Sequence, residues 1–387
     1  MSNFLFATLD AGGNLPPALG IGRELLRRGH RVRFLGHAQQ AKAVEASGAE
    51  FIPYRHAAPL EPAVAAPAHR QFAAMLNVFS DAGIGRDLVE EARREVPDVA
   101  VVDCLLLGAI DAAAKAGLPQ VVLVHSFFAF FDGPFRRGPM GAVLSLKGLP
   151  PRRVVGRAER VLVCSDRLLD PAGSRDGGAS GLNHRGRVVW SGAVVDDVGS
   201  EAGPPSANGS PPRVLASLST TAFPGQQEVL QRILDAASGL SVELVMTTGP
   251  AVDPANLWAP ANASVHRYVE HSQIMPGCSA VIGHGGHATS MRALAHGLPV
   301  MVLPMHPMLD QRMVGKAISD AGAGVLLNRK SSPEQISTAL TALLESDSHR
   351  KAAAVVGARL RKAAGAEAGA QVLTNLAGRI GPDSGSR

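Results

Sequence analysis

The chain has 387 residues, of which 46% are hydrophobic and 18% are charged. At roughly 150 residues per domain, this length predicts two or three domains with sizeable cores. The formal net charge is +5, and the Arg and Lys residues are spread along the chain. This spread argues against a nucleic-acid-binding protein, whose basic residues cluster on one stripe, and indicates a mild attraction for anionic ligands.

Three cysteines, Cys104, Cys164 and Cys278, lie far apart and form no CxxC pair. The pattern supports neither a disulfide framework nor a zinc site, so we expect buried thiols in a reducing cytoplasm and no bound metal. The first residues lack a basic region and enter a strand directly, so we expect no signal peptide. No apolar run approaches the ~20 residues that a membrane span needs.

Strands and helices alternate through the first half of the chain, beginning with a predicted strand at residues 4–9. A Gly-rich turn follows, and apolar residues from Leu15 to Leu26 then recur at helical spacing up to Gly29. Further strands are predicted at residues 32–35, 99–102, 121–124 and 161–163, with a helix at 109–116. Near-continuous apolar strands that alternate with helices predict a parallel sheet covered on both faces.

Residues 200–212 are rich in Pro, Gly and Ser and have almost no apolar side chains, so we predict a flexible interdomain linker. The alternation then restarts. Strands are predicted at residues 214–217, 242–246, 281–282 and 300–303, with helices at 226–237 and 288–295. The segment Ser332-Pro333-Glu334-Gln335 has the character of a capping box and predicts a helix start. Residues 350–377 are predicted to be helical and residues 381–387 to be frayed.

The predicted fold is therefore α/β, with two doubly wound, Rossmann-like domains. The first domain would cover residues 1–199 and the second residues 213–379, with the linker at 200–212 between them. The last helix could pack back on the first domain. Ligands of such sheets bind at the carboxyl ends of the strands, so we expect the two sets of strand ends to face each other across a cleft.

The most informative motif is Val281-Ile282-Gly283-His284-Gly285-Gly286, which is followed by Gly297-Leu298-Pro299 and by Asp310-Gln311. A buried strand would run into the glycine turn and then into a helix. Adjacent glycines let the backbone approach a ligand closely, and a helix N-terminus offers free N–H groups to an anion. These properties suit a diphosphate.

The spacing of these residues resembles the C-terminal signature of GT-B glycosyltransferases, and more narrowly that of the bacterial family 1 enzymes that decorate natural-product aglycones. The N-terminal half agrees, because a Gly-rich turn leads into a helix that ends in Arg28-Gly29-His30. The resemblance implies a GT-B fold and inverting, metal-independent transfer of a sugar from a nucleotide sugar to a hydrophobic aglycone. It implies no cofactor besides that co-substrate. UDP and dTDP remain equally open, as do a deoxysugar and a homodimer.

The resemblance also implies a set of donor-binding residues. His284 and the backbone of Gly285 and Gly286 would hold the diphosphate, with Ala288 and Thr289 on the first turn of the following helix. Ser219 and Thr220 would form a second phosphate-contacting loop. Tyr268 would cover the nucleobase, the backbone of Val269 would read its edge, and Asp310 and Gln311 would bind sugar hydroxyls. The sequence departs from the family pattern at Ala288, where Gly is usual, at Arg292, where Glu often binds the ribose, and in the longer spacing from Pro304 to Asp310.

The first domain departs more sharply from the family. Asn14 stands where the family has a histidine that acts as general base, whereas Asp103 matches the aspartate that orients this histidine. Three explanations are open. Another residue could be the base, and the candidates are Asp10, His125, His56 and Asp103 itself. The acceptor could instead need little deprotonation, or the chain could be a degenerate auxiliary protein that binds a sugar nucleotide.

An aromatic run and a helix upstream of it suggest a surface for a large apolar acceptor. The residues concerned are Phe127, Phe128, Phe130 and Phe131 in the run, and Phe72, Met75 and Phe79 in the helix. Packing of the domain core explains the same residues equally well. A sugar-nucleotide epimerase is a further alternative on this fold, although it would not account for an aromatic acceptor surface.

Overall fold

The computed structural model describes residues 1–9, 11–61, 64, 67–173, 182, 187–195 and 210–380. The chain divides into two compact units. The first holds Met1–Leu60, His69–Val194 and Ala363–Arg387, and the second holds Glu61–Ala68 and Val195–Lys362. The sequence-based division had kept residues 363–379 with the second domain. Of the predicted linker only residues 210–212 are described, and the predicted frayed end at 381–387 lies outside the described residues.

The first unit is built on a parallel sheet whose strands alternate with helices. The strands are β1 (Asn3–Ala7), β2 (Arg31–Gly36), β3 (Glu50–Pro53), β4 (Val99–Asp103), β5 (Gln120–Val124), β6 (Arg160–Val163) and β7 (Val188–Trp190). The helices are α1 (Leu15–Arg27), α2 (Ala41–Ala46), α3 (Ala68–Phe79), α4 (Ala82–Arg94), α5 (Leu107–Lys115), α6 (Phe128–Phe130), α7 (Pro139–Leu146) and α8 (Pro151–Val155). The strand order is β3-β2-β1-β4-β5-β6-β7, and every neighbouring pair is parallel.

The second unit repeats this plan. Its strands are β8 (Arg213–Ser217), β9 (Glu243–Thr247), β10 (Ala263–His266), β11 (Ala280–Gly283), β12 (Val300–Val302) and β13 (Gly324–Leu326). Its helices are α9 (Gln226–Ala237), α10 (His271–Ile274), α11 (His287–Ala295), α12 (Gln311–Asp320), α13 (Pro333–Glu345) and α14 (Asp347–Lys362). The strand order is β10-β9-β8-β11-β12-β13, again with every neighbouring pair parallel. The fold class predicted from the sequence is confirmed.

The burial of the strands explains why the sequence pattern predicted them. Every residue of β4 and of β5 is buried, as expected of central parallel strands that helices cover on both faces. In β1 the side chains alternate between two cores. Phe4 and Phe6 pack with Ile21 of α1 on one face, and Leu5 and Ala7 pack with α4 and α5 on the other. The predicted capping box is also present, because the Ser332 hydroxyl accepts a hydrogen bond from the Gln335 backbone and the Gln335 side chain accepts one from the Ser332 backbone.

The predicted single helix over residues 350–377 is two helices, α14 and α15 (Gly365–Ile380). Ala364 between them has a φ of +48°, in the left-handed region where a right-handed helix cannot continue. The break returns the chain to the first unit, where Arg28 at the end of α1 donates hydrogen bonds to the Gln371 side chain and to the Glu367 carbonyl of α15. None of the helices in the described residues is long and apolar enough to cross a membrane.

The start of α15 depends on a glycine without space for a side chain. A Cβ at Gly365 would lie 2.3 Å from the backbone oxygen of Ala193. We expect Gly365→Ala to lower the free energy of unfolding by about 1–3 kcal/mol, because backbone atoms cannot move aside cheaply. Thermal denaturation would measure the effect. Gly378→Ala is the matched control: nothing lies within 4 Å of its Cβ position, and alanine in a helix should be neutral or stabilising. Equal melting temperatures for both variants would contradict this description of the α15 packing.

Candidate active site

The strand order places each candidate site at a topological switch point. In the second unit the chain extends outward from β8 on one side and from β11 on the other. The loops that follow these two strands diverge there, and ligands of doubly wound sheets bind in the resulting crevice. Ser219 and Thr220 follow β8, and His284, Gly285 and Gly286 follow β11. The structure therefore brings the two predicted phosphate-contacting loops to adjacent strand ends.

The glycine turn after β11 has no room for larger residues. Gly285 has a φ of +85°, and a Cβ on it would lie 2.5 Å from the backbone oxygen of Gln311 and 2.8 Å from Val302. A Cβ on Gly286 would lie 2.5 Å from Nε2 of His284. The turn thus fixes the His284 ring and leads directly into α11, whose first N–H groups have no partner within the helix. Ala288 and Thr289 are partly buried in this first turn.

The His284 imidazole is held in its neutral form. Burial lowers its pKa to about 4, an effect that the backbone of Ser217 partly offsets. Among the residues that the structure describes, no hydrogen-bond partner is found for the buried Nδ1 of this ring. In the tautomer that carries its proton on Nδ1, the neutral ring can donate a hydrogen bond to a ligand oxygen beside the helix N-terminus.

The loop after β8 is under backbone strain. Ser219 has a φ of +143°, which is rare for a residue other than glycine, and its Oγ accepts a hydrogen bond from the Thr221 backbone. Gly249, in the loop after β9, packs so tightly that a Cβ on it would lie 2.4 Å from the Ser219 carbonyl oxygen. Strained residues concentrate at ligand-binding sites. Ser219 and Thr220 do not cap α9, because Gly225 occupies the position before that helix.

Gln226, which the sequence analysis missed, ties this loop to its neighbours. Its side chain is buried and its amide nitrogen reaches the carbonyl oxygens of Ser219 and Thr248, both at 3.4 Å. Its amide oxygen accepts a hydrogen bond from the Phe223 backbone at 3.1 Å. The ring of Phe223 in turn lies 6.0 Å from the ring of His284. Buried polar residues that support a loop form no recognisable sequence motif. The one signal for Gln226 was its position at the start of a helix.

Asp310 and Gln311 lie between β12 and α12. Asp310 immediately precedes the helix and is partly buried. Gln311 is only 2% exposed, and its amide oxygen accepts hydrogen bonds from the backbone of Met305 at 2.7 Å and of His306 at 2.9 Å. The amide oxygen of Gln311 is therefore bonded to protein, whereas the contact of Asp310 and Gln311 with sugar hydroxyls stays a prediction.

Tyr268 follows the edge strand β10, and its ring is 66% exposed. Its hydroxyl donates a hydrogen bond to Glu270 at 2.8 Å. Partial burial and this bond raise the pKa of Tyr268, and the positive charge of Arg292 on α11 opposes the rise. An exposed ring near an α11 residue suits the predicted nucleobase contact of Tyr268 and Val269, which stays a prediction.

The first unit has its switch point between β1 and β4, and the predicted acceptor-side residues gather there. Asp103 is the last residue of β4, His125 follows the adjacent β5, and Asn14 lies between β1 and α1. Asp103 Oδ2 lies 3.1 Å from His125 Nδ1, and Asn14 Nδ2 lies 3.5 Å from the same carboxylate oxygen. Asn14 Nδ2 also lies 3.4 Å from His125 Nδ1. Asp10 lies outside the described residues.

This cluster forms an imidazole–carboxylate pair. Burial acts to lower the pKa of His125, but the Asp103 carboxylate and Cys104 outweigh it and raise that pKa well above its usual value. The other oxygen of Asp103 accepts a hydrogen bond from the Leu105 backbone at 2.9 Å. Asp103 is therefore engaged on both oxygens, and it orients His125 through Nδ1. When the ring is neutral and its proton lies on Nδ1, the Nε2 atom of His125 can accept a proton.

Cys104 lies beside the cluster but does not suit a metal. Its Sγ lies 3.8 Å from His125 Nδ1, and burial raises the pKa of this thiol and opposes the thiolate form that a metal requires.

His56 lies apart from the cluster. Its Nδ1 is bonded to Asp87, which also accepts hydrogen bonds from two backbone N–H groups of the His56 loop. This pairing indicates support of a loop rather than proton transfer.

The aromatic run does not form the predicted acceptor surface. Its members Phe127, Phe128 and Phe131 are at most 3% exposed, and Phe79 of α3 is 6% exposed. Phe128, Phe131 and Phe79 belong to the core between the sheet and α4 and α5. The partly buried members, which pack at the edge of that core, are Phe72, Met75 and Phe130. Core packing, the alternative given for these residues, is therefore the better description.

Residues 231–373 match the family model described as Erythromycin biosynthesis protein CIII-like, C-terminal domain. The chain is 25% identical over 408 residues to the demethyllactenocin mycarosyltransferase of Streptomyces fradiae, covering 97% of this chain and 87% of that protein. The calicheamicin glycosyltransferase CalG4 superposes with a TM-score of 0.77 at 21% identity, over 99% of this chain and 100% of CalG4. The glycosyltransferase VinC, solved in complex with dTDP, has a TM-score of 0.69 at 19% identity over 97% and 100% of the two chains.

Two doubly wound units with a glycine turn at the switch point of the second define the GT-B class of fold, and the comparisons agree with it. The chain is a glycosyltransferase, and the proteins to which it is similar include glycosyltransferases of antibiotic pathways.

The glycine turn provides a direct test of the donor site. We expect Gly285→Ala to weaken the binding of dTDP and of UDP by about tenfold or more, because the new Cβ must displace the Gln311 backbone from its place. Isothermal titration calorimetry would measure both nucleotides. Gly239→Ala is the control, since nothing lies within 4 Å of its Cβ position. Unchanged binding by the Gly285 variant would mean that the turn does not shape the nucleotide site.

Proposed function

We propose that the protein transfers a sugar from a UDP- or dTDP-linked donor to a hydrophobic small-molecule aglycone, with inversion and without a metal ion. The observation that carries the donor half is the His284-Gly285-Gly286 turn at the N-terminus of α11. The dTDP complex of VinC and the sugar-transferase name of the Streptomyces relative support a nucleotide-linked sugar as donor. The three free, buried cysteines support work in a reducing compartment such as the cytoplasm.

The donor half of the reaction is electrostatic. Negative charge grows on the diphosphate as the bond between the anomeric carbon and its phosphate oxygen breaks. The N–H groups at the start of α11, which have no partner within the helix, and the neutral ring of His284 would stabilise this charge in place. Because these groups would perform the task that a divalent cation performs elsewhere, the proposal includes no cofactor besides the nucleotide sugar.

In the acceptor half of the reaction, His125 would act as the general base that the family places at position 14. Of the three explanations for Asn14, the pairing of His125 with Asp103 favours a base elsewhere in the site. An acceptor hydroxyl would give its proton to Nε2 of His125 while its oxygen forms the new bond to the anomeric carbon. Asp103 would stabilise the resulting imidazolium, and the Asn14 amide would help to hold the pair. Inversion follows because the acceptor attacks from the side opposite the leaving diphosphate.

A transfer assay tests the proposal as a whole. Purified protein would be incubated with UDP-glucose or dTDP-glucose and a panel of polycyclic alcohols and phenols, with EDTA present. We expect nucleotide release together with a glycosylated product whose anomeric configuration is inverted. His284→Ala should abolish both, whereas His266→Ala, an exposed change on β10, should not. Isomerisation of the donor sugar would indicate an epimerase, and complete inertness would indicate an auxiliary protein.

The raised pKa of His125 makes the acceptor half testable by pH. His125 accepts a proton only when neutral, so kcat/KM for an alcohol acceptor should rise with pH until the raised pKa of His125 is passed. Asp103→Asn removes the negative charge that raises this pKa, so the rise should move to lower pH while the plateau falls. A profile that keeps its position in Asp103→Asn would contradict the assignment.

The relative importance of the cluster members gives a second check. We expect His125→Ala to lower kcat/KM by about 10²–10⁴-fold, the range for loss of a general base. Asp103→Ala should cost more than Asn14→Ala, because Asp103 contacts His125 at 3.1 Å and Asn14 only at 3.4 Å. Single-turnover rates with one alcohol acceptor would rank the three variants. If Asn14→Ala proved the most damaging, the assignment of the base would be wrong.

A further inference from the structure

His306 lies in the segment between β12 and α12, and no motif of the sequence pointed to it. Its ring is half-buried at the carboxyl end of the sheet that also holds the His284 turn. The ring of Phe223 lies 6.0 Å from the His306 ring and 6.0 Å from the His284 ring, at the same interplanar angle of 42°. Two imidazoles from adjacent strand ends thus contact one aromatic ring, which places His306 beside the diphosphate site.

The backbone around His306 is fixed by Gln311. A carbonyl oxygen has two lone pairs, and the amide oxygen of Gln311 uses them for the N–H groups of Met305 and His306. Arg329 adds a hydrogen bond to the Met305 carbonyl at 3.0 Å. Gln311 therefore acts as a positioning residue for the segment that presents the His306 ring.

The His306 ring has a defined tautomer. Its Nδ1 accepts a hydrogen bond from the Met308 backbone at 3.2 Å. Burial lowers the pKa of His306 and the positive charge of Arg329 lowers it further, so the ring is neutral at neutral pH. A neutral imidazole whose Nδ1 is an acceptor carries its proton on Nε2. The ring thus offers one N–H donor whose direction the protein sets in advance.

We propose that His306 is a sugar-binding residue whose Nε2–H donates a hydrogen bond to a hydroxyl of the nucleotide-linked sugar. This inference rests on the proposed donor site. A neutral donor held on the Asp310-Gln311 segment suits an uncharged hydroxyl, while the diphosphate has the N-terminus of α11 and His284. The protein would then recognise the sugar through a hydrogen bond from a residue that the family signature does not contain.

The test separates a ligand contact from support of the loop. In His306→Gln the side-chain amide nitrogen can take the place of Nε2 and keep the donor. In His306→Asn the amide oxygen can take the place of Nδ1 and keep only the bond from Met308. His306→Ala loses both, and His266→Gln is the control on exposed β10. Calorimetry would give the Kd of each variant for UDP, UDP-glucose, dTDP and dTDP-glucose.

We expect the Ala and Asn variants to bind the preferred sugar nucleotide about tenfold more weakly, the effect of one lost hydrogen bond, and the Gln variant to remain near wild type. Binding of the free nucleotide should be unchanged in all variants. Retention by Asn with loss by Gln, or equal weakening of nucleotide and sugar nucleotide, would overturn the proposal. Failure of the wild-type protein to bind any of the four ligands would instead overturn the donor site itself.

Discussion

The central constraint in the second unit is the contact of Gly285 with the backbone of Gln311. It requires a left-handed backbone conformation and the absence of a Cβ, and only glycine meets both conditions. Through this contact the turn after β11 is fixed against the segment after β12. The His284 ring, the start of α11 and the His306 segment all take their positions from it. The proposed donor chemistry would depend on this contact because stabilisation of a leaving diphosphate requires groups that are in place before the reaction.

The first unit meets a different constraint. Asp103 is buried at the end of β4, and a buried carboxylate needs partners. In this chain the partners are His125, the Leu105 backbone and, at longer range, Asn14. An imidazole from the neighbouring strand therefore occupies the place beside the carboxylate, although the family position at residue 14 has none. Under the proposed function, the base lies at the end of β5 instead of in the loop after β1.

Much of the fold was predictable because parallel strands buried on both faces leave apolar runs, as in β4 and β5. The glycine turn was predictable because backbone geometry demands the residue type. The break between α14 and α15 was missed because both segments are rich in alanine. The return of the last helix to the first domain had been left open, since its contacts with Arg28 are distant in sequence. Phe127, Phe128 and Phe131 were open to two interpretations, since core and ligand surfaces use the same residues. His306 and Gln226 were missed because their roles arise from loops that meet only in the folded unit.

The most direct test is a crystal structure of the protein with dTDP or UDP bound. The account predicts diphosphate oxygens within hydrogen-bonding distance of the His284 ring and of the backbone N–H groups of the first turn of α11. A diphosphate bound at any other place on the second unit, with the His284 ring making no contact with it, would contradict the central claim.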